Sequence, residues 1–195
     1  MEEELDYFSL FLTEEFFTEL CDLTEIYHNV KHGDKSKRRR MSHERKWSKP
    51  DLIEMKAYIG ILLYTGVVKH ARLRDYWSRS RLFSSHYVGD IMSRDRFSQI
   101  QSNLHFVDEK EMAQNEDPLY KIRPLISQVL IASRILYTPD QYLTIDETMI
   151  RFNGRSSMKV YMPLKPIKYG FKAYVLADSK SGYVLNWILR SEEHT

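Results

Sequence analysis

The spacing of apolar residues changes period once along this chain, at Tyr137-Thr138-Pro139-Asp140, and that change restricts the fold more than any other feature. Before it, apolar residues recur every three or four positions, the repeat of a helix with one buried face; after it they alternate, the repeat of a strand. Thr13 suits the cap of a first helix, with Glu14 and Glu15 in its opening turn and Phe16, Leu20, Leu23, Tyr27 and Val30 as its core stripe. Lys31-His32-Gly33 closes it with a base and a glycine. Ser48-Lys49-Pro50 introduces a second helix from about Asp51 to Gly66, apolar around most of its circumference and therefore expected to be buried on several sides. Leu73, Tyr76 and Trp77 mark a short third helix, and Ser93 caps a fourth lined by Phe97, Ile100 and Leu104. Residues 107–118 read as a polar surface connection ending in Asp117-Pro118. Pro124 opens a fifth helix with Leu125, Ile126, Val129, Leu130 and Leu136 inward.

Beyond the switch, Tyr142 to Phe152, Phe171 to Ala177 and Tyr183 to Leu189 read as strands, the last two joined by a hairpin loop over Asp178-Ser179-Lys180-Ser181-Gly182. The predicted class is α+β, with helices in 1–139 and the start of a sheet in 140–189. Within the first strand Asp146 and Glu147 must face opposite ways.

Charge is segregated. Residues 1–25 hold nine acids and no Lys or Arg, whereas residues 31–49 hold nine bases, including Lys37-Arg38-Arg39-Arg40, against Asp34 and Glu44. That basic run suits a solvated loop between helices, nuclear import or contact with phosphates. A second cluster carries Arg151, Arg155, Lys159, Lys165, Lys168 and Lys172, interleaved with Tyr161, Tyr169 and Phe171. Bases alternating with aromatics in this way suit a phosphate-tracking surface.

Other classes are excluded or disfavoured. A single cysteine, Cys21, makes no internal disulfide and no cysteine-based zinc site, and its place in an amphipathic pattern reads as core filler. The most apolar stretch, Leu52 to Val68, contains Glu54 and Lys56 and is too short and charged to span a bilayer, so no membrane partner is expected. Met1 is followed by Glu2, Glu3 and Glu4 rather than a signal peptide, so the chain reads as soluble and intracellular. No glycine-rich phosphate loop or nucleophile elbow occurs, and the seven histidines read as surface or core residues rather than as a metal pair. Asp146 is the chemical candidate. A carboxylate buried mid-strand needs either a metal or a cationic partner such as Arg.

Several strings carry a family likeness. Leu143-Thr144-Ile145-Asp146-Glu147, Phe152-Asn153-Gly154-Arg155, Pro163-Leu164-Lys165-Pro166 and Lys168-Tyr169-Gly170-Phe171-Lys172 together resemble the first catalytic block of piggyBac-type transposases. Upstream, Tyr58-Ile59-Gly60, Asp75-Tyr76-Trp77 and Met92-Ser93-Arg94-Asp95-Arg96-Phe97 resemble the helical region that precedes it. The resemblance implies a cut-and-paste DNA transposase of the nucleus. Its helical region, here 1–139, would bind DNA and dimerise, and 140–189 would be the first three strands of an incomplete RNase H-like sheet. It implies double-stranded DNA at transposon ends as partner, a homodimer in the full-length form, and two Mg²⁺ ions held by three aspartates, the first matching Asp146. Arg155 matches a basic position of that block, and Asn153 stands where related sequences often carry Arg. Arg151, Lys159, Lys165, Lys168 and Lys172 are inferred DNA contacts from charge and proximity.

The departures shape the expectation as much as the matches. The second and third aspartates belong downstream, and one carboxylate is too little to hold two hard dications. The string Arg190-Ser191-Glu192-Glu193-His194-Thr195 leaves the family pattern and reads as translated sequencing adapter, so a product longer than this stretch is expected. Without helices over the sheet, Ile145, Val175, Leu176, Leu185 and Trp187 are expected to lose cover, and one edge of the first strand to stay unpaired. Three functions fit: a catalytically incomplete piece of a transposase, a domesticated nuclear DNA-binding protein without catalysis, and a helical protein-interaction module.

Overall fold

The computed structural model describes residues 2–33, 47–80, 87–108 and 117–189. The import candidates Lys37, Arg38, Arg39 and Arg40 lie outside the described residues, as do most of the polar connection at 107–118 and the tail from Arg190. The chain forms two compact units, Leu12–Leu125 and a second that joins residues up to Phe11 to the chain from Ile126 onward. Packing therefore groups the N-terminal segment with the sheet, whereas the change of period at 139/140 marks only a change of secondary structure.

In the first unit, α2 (Glu14–His32) begins where Thr13 accepts the Phe16 N–H on its hydroxyl at 3.3 Å. Its buried face is Phe17, Leu20, Cys21, Thr24 and His28. The expected stripe is thus rotated by about one position, leaving Val30 59% exposed. Aromatic partners beside the helix explain the shift. Tyr27 stacks flat on His105 at 4.1 Å and Phe16 lies against Phe106, so both sit at the flank of the core rather than in it. Asp51 caps α3 (Leu52–Val67) by accepting the Glu54 N–H at 2.8 Å. Only Met55, Tyr58 and Ile61 of α3 are buried, and Ile53 and Val67 stand 79% and 83% exposed, which corrects the expectation of burial on several sides. A 3-10 turn, Leu73–Trp77, and the short α4 (Tyr87–Ile91) lead to α5 (Arg94–Asn103), capped by Ser93 through the Arg96 N–H. Phe97 of α5 is fully buried between Tyr58 and Trp77, with ring centroids at 4.9 and 5.0 Å. Arg96 fastens α5 to α3 through a two-pronged bond to Glu54 (2.6 and 2.5 Å) with its guanidinium over Trp47.

The second unit holds α1 (Glu2–Phe11), most of α6 (Arg123–Ile135) and the sheet. The apolar pattern does not announce α1, because Leu5, Tyr7 and Leu10 all remain at least half exposed. Gln128 donates to the Phe11 carbonyl at 3.1 Å. Ile126, Ala132 and Ser133 are the buried positions of α6, while Leu136, expected inside, is 41% exposed.

The sheet is antiparallel and built on β3 (Tyr169–Asp178). β1 (Leu143–Arg151) runs along one side of it from Leu143↔Asp178 to Arg151↔Gly170. β4 (Val184–Leu189) and the two-residue β2 (Val160–Tyr161) share the other side. The three expected strands are in place, β2 is an addition, and β1 has no second strand neighbour among the described residues. Leu185, expected to lose cover, is buried; Val175, Leu176 and Trp187 are half-buried, and Ile145 alone of that set stands open at 72%. Gly182 turns the β3–β4 hairpin with φ +73°, a conformation open to glycine at no steric cost. Asp178, expected in that loop, instead ends β3 and anchors the turn. Its carboxylate accepts the N–H groups of Asp140 (2.7 Å), Lys180 (2.8 Å) and Ser181 (3.0 Å) and the Tyr137 hydroxyl (3.1 Å).

Candidate nucleic-acid interface and carboxylate position

Register assigns each side chain of β1 to a face. Residues paired across a ladder share a side, and neighbours along a strand do not. Asp146 therefore shares its face with Thr144, Thr148, Val175 and, across β3, Trp187. Glu147 lies on the opposite face with Met149, Lys172 and Tyr174.

Asp146 is exposed, contrary to the expectation of a buried carboxylate. Its Oδ1 accepts the Glu147 N–H at 2.7 Å. No Arg or Lys among the described residues forms an ion pair with it, so none of them is the arginine partner the sequence left open. Aspartate is disfavoured in strand interiors, and among the described residues this one hydrogen bond to its neighbour's N–H is the contact its side chain makes.

Glu147 has a structural role instead. Its carboxylate lies 2.5 Å from the Lys172 ammonium. That bond holds Glu147 below and Lys172 above the usual carboxyl and ammonium ranges. Lys172 is 8% exposed, lies over the Tyr174 ring and has its charge matched by Glu147, which sets it apart from the exposed bases among the inferred DNA contacts.

The remaining bases divide between two places. Arg151 is exposed at the end of β1, on the face of Lys172. Arg155 and Lys168 are exposed in the loops on either side of β2. Lys159 donates to the Gly154 carbonyl at 3.3 Å and lies over Tyr169, and Lys165 is half-buried with its ammonium 3.2 Å from the Glu147 carbonyl. The sequence cluster thus resolves into a loop-borne group, Arg155, Lys159 and Lys168, and residues tied to the sheet.

A two-metal site needs several oxygen ligands at one place. Among the described residues no group of three or more His, Cys, Asp or Glu side chains could hold a metal ion, and Asp146 is a lone carboxylate on its face. These residues do not by themselves fit two Mg²⁺ ions. The reading of scattered histidines also misses one pair: His28 and His32 stand one helical turn apart with rings at 4.7 Å, and the spacing of four was the available signal. His28 is buried and stacked on Trp47 at 4.5 Å, a core role.

The helices and the antiparallel sheet are those of a known class of protein. The family described as Transposase IS4 matches residues 3–195. Two human proteins, from Homo sapiens, are similar. PiggyBac transposable element-derived protein 3 is 34% identical over 119 residues, 61% of this chain and 20% of its own length. PiggyBac transposable element-derived protein 2 is 31% identical over 132 residues, 68% of this chain and 22% of its own length. A piggyBac transposase, solved by cryo-electron microscopy in a synaptic complex with hairpin DNA, superimposes with a TM-score of 0.75 at 28% identity, covering 98% of this chain and 39% of that one. The chain spans about a fifth of the length of these curated relatives. It belongs to the piggyBac transposase family.

Proposed function

We propose that this chain is the DNA-contacting part of a piggyBac-type transposase, with an RNase H-like sheet that contributes Asp146 as one metal ligand. The observation that carries the reading is Asp146 itself, an exposed mid-strand carboxylate matched by no cation among the described residues. Its position within the family string Leu143–Glu147 supports the same role. Arg155, Lys159 and Lys168 supply the positive charge for the DNA backbone, and Lys165 adds a half-buried one. Cutting and joining would need carboxylates besides Asp146, so catalysis is proposed for the whole protein, with Mg²⁺ as the ion and a homodimer as the working form. Nuclear entry is assigned to Lys37, Arg38, Arg39 and Arg40.

The test is binding of the chain to a blunt DNA duplex across a salt series, followed by fluorescence anisotropy. Contacts to phosphates release counterions, so affinity should fall steeply with salt, with a slope set by the number of phosphates neutralised. Replacing Arg155, Lys159 and Lys168 by Gln should weaken binding and flatten the slope by about one for each charge lost. Unchanged binding in the triple variant would refute the surface.

A further inference from the structure

Beside Lys159, Tyr161 of β2 and Tyr169 of β3 face each other in register, with ring centroids 4.6 Å apart and planes inclined by 29°. Both are 54% exposed, so this cross-strand aromatic pair stands at the surface. Lys159 stands with its ammonium 5.5 Å from the Tyr169 centroid, and Arg155 and Lys168 are exposed nearby in sequence on the loops leading into and out of the pair. A second stack, Phe152 on Phe171 at 4.6 Å, lies on the same side of the sheet, and this is also the side of Asp146.

We infer that the Tyr161–Tyr169 pair is a stacking platform for an unpaired DNA base, with Lys159, Lys168 and Arg155 taking the phosphates that flank it. The inference rests on the proposed DNA surface and adds to it the form of DNA recognised. The chemistry selects the occupant. The inner faces of the pair cover each other and Lys159 lies over Tyr169, which leaves the outer face of half-exposed Tyr161 for a base. A base can stack there only where its own face is open, and a paired base inside a duplex offers none. Lys159 at the Tyr169 ring, with the exposed Arg155 and Lys168 close to the pair in sequence, matches a phosphodiester backbone rather than an isolated apolar group. The ligand is therefore a nucleotide outside the helix, at a single-stranded end, a hairpin tip or a flipped position. Its position on the face of Asp146 would put that nucleotide on the same side of the sheet as the carboxylate.

The experiment compares a blunt duplex with a duplex of equal phosphate count that carries a short single-stranded overhang containing 2-aminopurine, a base whose fluorescence is quenched by stacking. The chain should bind the overhang duplex about fivefold or more tightly than the blunt one, and the 2-aminopurine should be quenched on binding. The double variant Tyr161→Ala with Tyr169→Ala should lose both effects, and the Tyr161→Phe with Tyr169→Phe variant should keep both, because stacking needs the ring and not the hydroxyl. Equal affinity of the unmodified chain for the two duplexes, or no quenching, overturns the platform whatever the alanine variant does. Absence of blunt-duplex binding with quenching and overhang binding intact would instead overturn the backbone surface and leave the platform standing.

Discussion

Glu147 and Lys172 meet diagonally across the β1–β3 ladder at 2.5 Å, on the sheet face opposite Asp146. The family string places Asp146 and Glu147 side by side, and the pleat separates them into a carboxylate with no ion-pair partner among the described residues and one bound to lysine. The same contact separates Lys172 from Lys168, two bases that the sequence presents as equivalent.

That separation is measurable in DNA binding. Lys168→Gln should reduce the slope of log affinity against log salt by about one, since an exposed phosphate contact is lost. Lys172→Gln should leave the slope unchanged while lowering the Tm, because it strands the Glu147 carboxylate. Equal slope changes in the two variants would place Lys172 on the DNA after all.

Acid should weaken the sheet unit through two carboxylates. Amide donors led by those of Asp140 and Ser181 hold the Asp178 carboxyl far below its ordinary value of 3.8, and Lys172 holds Glu147 below 4.5. A depressed folded pKa contributes stability that is present above the unfolded value and is lost as pH falls toward the folded one. Stability should therefore drop as pH falls below about 4.5, with Glu147 responding first and Asp178 last. Asp178→Ala should lower the Tm and remove the most acidic part of that decline in thermal melts. A melt profile identical to the parent's would refute the role of Asp178.

Burial pushes the Cys21 thiol up to about 11, and the residue is 4% exposed. Only the thiolate reacts readily. The folded chain should resist an aromatic disulfide reagent at pH 8 and react promptly once unfolded in guanidinium. Fast labelling without denaturant would contradict the burial.

Two glycines should respond oppositely to alanine. A Cβ on Gly170 would lie 2.0 Å from the Ile150 carbonyl oxygen, so Gly170→Ala forces β1 and β3 apart and should cost about 1–3 kcal/mol or more. Gly60, inside α3, has open space where a Cβ would stand, and Gly60→Ala should stabilise by about 0.4–1 kcal/mol. Urea unfolding of the two variants checks both signs.

Local rules carried the sequence reading where one residue decides. Thr13, Asp51 and Ser93 cap the helices they were expected to begin or precede, because a cap needs only a short side chain and an N–H three residues on. The strands followed from alternation, and the antiparallel pairing of the last two from the short hairpin at Asp178–Gly182. Burial was less legible. The stripe on α2 turned by about one position, and α3 left Ile53 and Val67 in solvent, because an apolar side chain is buried only where another element reaches it.

The sequence alone determined the order of elements, their caps, the segregation of charge and the family strings, all properties of residues near one another along the chain. Tertiary structure alone decided which of two adjacent carboxylates is paired, that Lys172 is sealed while Lys168 is open, and that Tyr161 and Tyr169 stack. Each of these depends on the register between strands, where a shift of one residue sends every side chain to the other face.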